Sequence, residues 1–386
     1  MSAGATTMPL DGVLVADFSR VLAGPLAGVM LADLGATVVK VERPLVGDDT
    51  RAWGPPWTAG SSSYFACANR SKQSVTLDLD EAEDLALARE LASRADVVLE
   101  NFPDGALARR KLDYQSVRRT NEGIVYCSVT GFGNEGGAAM GGYDFVVQAM
   151  GGLMSITGNA DGDPMKAGVA IVDVLTAKDA TIGILAALAA RQRSGHGQRV
   201  EVNLLSSLLG SLANQASAYL TTGRVPRRMG NQHPSIAPYE TLRCKDGLLA
   251  VACGNDAQFA RLVQAIGAGH LATDKRFDSN ARRVEFRSSL VEELEGRLAH
   301  DTVTSWVGRL TSVSVPCGEV GTVADGLALA ERLGLEPTAD VGEEPRQVRH
   351  PVTYSGTPVV SYTRPPALGE HNADIRQWLS TREASA

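Results

Sequence analysis

The first forty residues constrain the fold of this chain more than any other stretch. Residues 12–18 form a short apolar run with strand character. Residues 25–34 then show helical spacing, with Leu26, Val29, Met30 and Leu34 as the apolar positions. Pro25 suits a first helical turn, where a missing N–H costs nothing. Gly35 supplies the C-terminal stop. Residues 36–41 are β-branched and end at Glu42-Arg43-Pro44. Strand, helix and strand in that order imply a parallel sheet. Residues 74–79, 95–100 and 123–129 read as further strands, and 81–94 as an acidic amphipathic helix. The expectation is an α/β protein whose large domain carries a Rossmann-like parallel sheet.

A chain of 386 residues exceeds one small core, so a second domain is expected. Residues 1–200 read as the first part of the large domain, and 201–235 as a linker helix and loop. Residues 236–320 read as a smaller α+β domain. It opens with a hairpin at 239–253 that turns at Lys245-Asp246-Gly247, and helices follow at 256–266, 285–299 and 302–310. Residues 321–386 are Pro-rich and read as an extended return segment completing the large domain. The loop around 225–240 is a candidate lid.

Net charge is −7, which argues against a nucleic-acid partner, since that needs a basic face. The five cysteines form no C-x-x-C pair and are odd in number. That disfavours a disulfide framework or a zinc site and fits a reducing cytoplasm. The six histidines are scattered, so no metal site is legible. The longest apolar tract, 182–190, is far short of the ~20 residues of a membrane span. It reads as a buried helix, with no membrane partner.

Asp173 stands out among the candidate site residues. It ends the apolar run 168–173 and opens a helix-like run reaching Arg191. That places a carboxylate at a strand's C-terminal end and a helix's N-terminus, where ligands gather in open α/β sheets. The helix dipole there should keep it ionised. A plain helix cap is the alternative. Arg43 follows the second strand, and Arg109-Arg110-Lys111 follows the turn 101–105. Beside Phe102 these read as contacts for a nucleotide-like polyanion, because Arg pairs bidentately with phosphate; solvated surface charge is the alternative. Tyr143, Trp53 and Tyr64 are candidate pocket walls, with core packing as the alternative. The loop 22–28 is not G-x-G-x-x-G, and Pro25 removes a donor from it, which argues against a nicotinamide site despite Glu42.

Several stretches together carry a resemblance. They are Arg20-Val-Leu-Ala-Gly-Pro25, Val39-Lys-Val-Glu-Arg-Pro44 with Gly47-Asp48 and Arg51, and Asn69-Arg-Ser-Lys-Gln-Ser-Val-Thr-Leu-Asp78. Others are Asp96-Val-Val-Leu-Glu-Asn-Phe102, Gly142-Tyr-Asp144 through Gly152, Gly168 through Asp173, Gly195 through Val200, Val315 through Val320, and Leu368-Gly-Glu-His371. In this order the set resembles the family III CoA-transferases and the related 2-methylacyl-CoA racemases, across nearly the whole chain.

The resemblance implies that Asp173 is the catalytic carboxylate, forming an aspartyl-CoA thioester. It implies CoA contacts from Leu22, Ala23, Arg43, Leu77, Asn101, Phe102 and Arg109. It also implies an interlocked homodimer, acyl-CoA and carboxylic acids as substrates, and no permanently bound cofactor. Succinyl-CoA or another dicarboxylyl-CoA is the expected donor by analogy. Arg20, Arg51 and Lys166 are candidates for a second substrate carboxylate. Two departures bear on specificity: a Gln found in some transferases is Leu22 here, and lysines of the formyl-CoA enzyme fall on Gly141 and Asp80. The racemases carry a His where this chain has Tyr143. A phenol, with an ordinary pKa of roughly 10, is a poor proton shuttle near neutrality, so transfer is favoured over racemisation. A racemase or epimerase, and a non-catalytic CoA-binding subunit, are the alternatives.

Overall fold

The computed structural model describes residues 7–381. The chain divides into two compact units. One holds the residues up to Leu153, Ala167–Thr222 and those from Glu336 on; the other holds Met154–Lys166 and Gly223–Leu335.

The first unit is built on a six-stranded sheet. Its strands are β1 (Leu14–Asp17), β2 (Thr37–Glu42), β3 (Gln73–Thr76), β4 (Val97–Glu100), β5 (Val125–Thr130) and β6 (Arg199–Asn203). All neighbours are parallel, in the order β3-β2-β1-β4-β5-β6. The register sets Val15 beside Val38 on one side and Val97 on the other. These valines are buried, as strands of a sheet covered on both faces require. Helices α1 (Ala23–Asp33), α2 (Ser63–Cys67), α3 (Ala82–Arg94), α4 (Tyr114–Arg118) and α5 (Asp144–Met150) follow in turn. The short α6 (Leu153–Ile156) starts at the last residue of this segment, and the rest of it is counted in the second unit. Next come α7 (Ile171–Ser194), α8 (Leu204–Ser211) and α9 (Ala213–Thr222). Pro25 lies in the first turn of α1, and Gly35 follows with φ of +103°.

In the second unit β7 (Tyr239–Arg243), β8 (Leu248–Ala252) and β9 (Cys317–Glu319) form an antiparallel sheet. Helices α10 (Asp256–Ala265), α11 (Asn280–Glu285), α12 (Arg287–Leu298), α13 (Val303–Ser312) and α14 (Val323–Arg332) accompany it. Leu242, Val251, Phe259, Phe277 and Trp306 share its core. Arg287 pins the loop before β7 by donating to the carbonyls of His233 and Ile236. The short strands β10 (Thr338–Ala339) and β11 (Gln347–Val348) belong to the first unit. So does α15 (Asn372–Ser380), where Asn372 accepts the N–H of Thr76 at 2.8 Å.

Four expectations need correction. Residues 168–172 form no strand. The N–H groups of Ala167 and Val172 go to side chains of α5 rather than to a strand ladder. The expected linker 201–235 divides: β6, α8 and α9 run to Thr222 within the first unit, and the loop beyond belongs to the second. Residues 321–335 are not extended. Thr322 and Asp325 form a capping box that starts α14, in the second unit. The tract 182–190 lies in a 24-residue helix that buries only one face, through Thr176, Ala180, Ile184 and Ala187, and leaves Ile182 64% exposed. No helix among the described residues is long and apolar enough to cross a membrane.

Candidate active site

The strand order reverses between β1 and β4. In open sheets of this kind a crevice opens outside the carboxyl ends of such a strand pair. The segments leaving β1 and β4 are stitched together there. Arg20 donates its N–H to Asn101 Oδ1 at 2.9 Å, and Asn101 Nδ2 donates to the Arg20 carbonyl at 2.7 Å.

A buried charge network holds this crevice from below. Lys40, on β2, donates to Asp48 at 2.9 Å and to the Ser19 carbonyl at 2.9 Å. Lys72 donates to Asp17, to the Pro25 carbonyl and to Asn69. Both ion pairs are wholly buried. Burial works against the Lys40 ammonium, yet Asp48, Asp17 and Glu42 overrule it and hold its pKa above the ordinary value. Burial brings Lys72 down to about 8 despite Asp17. Asp48 also accepts the N–H of Val21, whose φ of 72° lies in the left-handed region a valine rarely adopts. The turn carrying Arg20–Ala23 is therefore fixed by buried ions.

One cleft, of about 410 Å³, is lined by this turn, by Asn101 and Phe102, by the Gly-rich segment 131–142, and by Asp173. Gly131 and Gly142 cross backbone to backbone, so a Cβ on either would stand within 2.4 Å of the other's Cα. Only glycine permits that fold-back. Asp173 is half-buried in the first turn of α7, as its third residue rather than its cap. Burial and the neighbouring Asp144 carboxylate push it up to about 7. Both influences work against the expectation that the helix N-terminus keeps it ionised.

A second cleft, of about 400 Å³, is lined by Arg20, Arg43, Leu77, Asp80, Phe102 and Arg110, among others. Arg20 and Phe102 belong to both clefts, with the guanidinium 5.2 Å from the ring centroid. Arg43 pairs with Asp49, and Arg110 with Asp80.

The structure thus gathers Leu22, Ala23, Asn101, Phe102, Tyr143 and Asp173 around one cleft, and Arg43, Leu77 and Phe102 around the other. Arg109 is exposed and lines neither; its neighbour Arg110 takes that place. Trp53 and Tyr64 stand edge to face at 5.3 Å, outside both linings. Tyr64 nevertheless senses the site: burial and then the Asp173 charge raise its phenol to about 12. Arg51 is committed to Glu42 through two bonds of 2.8 and 2.7 Å, and Lys166 belongs to the second unit. The Gly151 N–H donates to the Val147 carbonyl and is not free for a ligand. Asp144 and Lys40 fall within the stretches that carry the resemblance, but sequence reasoning gave neither of them a role. A lysine inside an otherwise apolar strand was the visible signal for the second.

The model of CoA-transferase family III matches residues 10–372. The chain belongs to CoA-transferase family III. A succinate–glutarate CoA-transferase of Agrobacterium fabrum is 44% identical over 394 residues, 98% of this chain and 97% of its own. A succinyl-CoA:glutarate CoA-transferase of Mus musculus is 38% identical over 95% of this chain and 85% of its own. The crystal structure of a CaiB/BaiF family protein from Brucella suis superposes with a TM-score of 0.87, at 43% identity, covering 97% of this chain and all of that one. As a family III CoA-transferase this protein is an enzyme whose substrates are CoA thioesters and carboxylic acids.

Proposed function

We propose that this transferase moves CoA between dicarboxylic acids, with succinyl-CoA or a similar dicarboxylyl-CoA as donor and Asp173 as nucleophile. The names of the Agrobacterium and mouse relatives support the substrate class. What carries the nucleophile is the placement of a half-buried carboxylate in a cleft that shares Arg20 and Phe102 with an arginine-lined one. Leu22, Ala23, Arg43, Leu77, Asn101 and Phe102 are the proposed CoA contacts, with Arg110 in the place first given to Arg109. Tyr143 is proposed to bound the acyl end, with Tyr64 near enough to feel the Asp173 charge.

A carboxylate nucleophile splits one difficult exchange into easier steps and conserves the thioester's free energy. An Asp173 oxygen attacks the donor carbonyl, releasing CoA thiolate and leaving a mixed anhydride. The thiolate attacks the Asp173 carbonyl, which frees the donor acid and leaves an aspartyl-CoA thioester. The acceptor carboxylate attacks that thioester and expels the thiolate. Attack of the thiolate on the acceptor's carbonyl yields the new acyl-CoA and restores Asp173.

The supported reading includes a homodimer and a cytoplasmic location. Apolar residues such as Phe145, Ile182 and Leu220 stand exposed, and the cysteine pattern suits a reducing compartment.

The test is trapping. Wild-type enzyme with donor acyl-CoA alone should lose activity to hydroxylamine, with the adduct at Asp173. Asp173→Ala should bind CoA and transfer nothing. Comparable turnover by that variant would end the nucleophile assignment. Deuterium wash-in at the α-carbon without acceptor would favour racemisation instead.

A further inference from the structure

A carboxylate three residues into a helix ordinarily turns back toward the free N–H groups of the first turn. At α7 those donors are occupied. Asp144 Oδ1 accepts the N–H of Val172 at 2.8 Å and that of Asp173 itself at 3.3 Å. Asp144 Oδ2 accepts from Gln148 Nε2 at 2.7 Å. Gln148 Oε1 in turn accepts the Ala167 N–H at 2.9 Å, and this glutamine is fully buried. A closed polar circuit thus ties the approach to α7 onto α5. The Asp173 carboxylate, by contrast, accepts no hydrogen bond among the described residues; only burial and Asp144 act on it.

We infer that Asp144 is a positioning residue for CoA transfer: it withdraws the helix donors from Asp173 and sets a second negative charge beside it. The inference rests on Asp173 being the nucleophile. The charge has a definite direction of effect. Free Asp173 is an anion, whereas the anhydride and the thioester formed on it are neutral. Repulsion from Asp144 raises the free carboxylate alone and so favours acylation of Asp173. A more basic carboxylate is also the better nucleophile. The other charged or titratable groups around Asp173 are Tyr64 on α2 and Arg20, Asp49, Asp104 and Tyr143 about the same cleft. None of them donates a hydrogen bond to it.

Three variants separate charge from scaffolding. Asp144→Asn keeps an oxygen for the helix N–H groups and deletes the charge; Asp144→Ser does the same if the Asn amide mispairs with Gln148. Gln148→Met cuts the tether and keeps the charge. The readouts are the pH profile of kcat/KM for acyl-CoA and the hydroxylamine-trapped adduct at Asp173. Asp144→Asn should move the acid limb down by roughly one pH unit. Its plateau should fall about threefold, the Brønsted consequence of a less basic nucleophile, and it should trap less adduct. Gln148→Met should slow turnover without moving the limb. An Asp144→Asn limb coincident with wild type, while wild type still traps its adduct at Asp173, would overturn the positioning role. An adduct mapped elsewhere in wild type would overturn the nucleophile itself, and this inference with it.

Discussion

At Asp173, activity and stability pull in opposite directions. Its folded-state pKa of about 7 exceeds the ordinary 3.8 because burial and Asp144 disfavour the anion. Transfer needs that anion, so the rate should fall as pH drops through about 7. Stability has the reverse sign. Above that pH the fold bears the cost of a buried charge; the cost fades as pH falls toward the unfolded value and is absent below both. Asp173→Asn removes the titration. Near pH 8 it should be more stable than wild type by about 1–3 kcal/mol, discounted for partial exposure, and near pH 4 the two should coincide. Denaturant midpoints at the two pH values check this, and a less stable variant at the higher pH would contradict it. The position of Asp173 is legible in the sequence because an acid opens a long apolar run. Its surroundings are not. Val169-Ala-Ile-Val172 satisfies a strand as well as a first helical turn, and the cap comes from Asp144, 28 or 29 positions away from its donors. No periodicity reports a contact at that separation.

At the scale of elements, the turn between β1 and α1 depends on ions that a strand pattern hides. β2 is buried from Val38 to Glu42, so Lys40 has no solvent face, and its partner Asp48 lies in the following loop. Apolar alternation locates the strand and says nothing of the pair. Replacing Lys40 by Met leaves the Asp48 charge buried without its cation. A loss of about 3–5 kcal/mol is expected, together with a raised KM for acyl-CoA as the Arg20–Ala23 turn loosens. Urea denaturation and steady-state kinetics test the two halves separately. The arginine triplet tests resemblance against geometry. Arg110 lines the second cleft and Arg109 does not. Arg110→Ala should raise the KM for acyl-CoA about tenfold, the loss of roughly one charge-assisted contact. Arg109→Ala should change it much less. Equal effects would show that Arg109 reaches the ligand by a motion absent from this structure.

For the whole molecule, the informative misfits are helices with apolar residues and no buried ones. α9 buries none of its side chains, and Tyr219 and Leu220 stand 48% and 81% exposed. α14 in the second unit also buries none, with Val323 84% exposed. The parallel sheet and the hairpin were readable from strand spacing and turn residues, because each satisfies its own pattern locally. Whether an apolar face meets its own core or another surface is not encoded in that spacing, so α14 passed as extended chain. Burying a leucine-sized side chain contributes about 1.5–3 kcal/mol, and contiguous exposed apolar faces mark interaction surfaces in soluble proteins. A second copy of this chain is the occupant that the family resemblance implies. Light scattering should then give twice the 40.7 kDa chain mass, held on dilution to micromolar concentration. Ile182→Glu combined with Leu220→Asp touches neither cleft, so it should lower the mass toward one chain and leave the nucleophile untouched. A wild-type mass of a single chain across that range would leave these faces without the partner proposed for them.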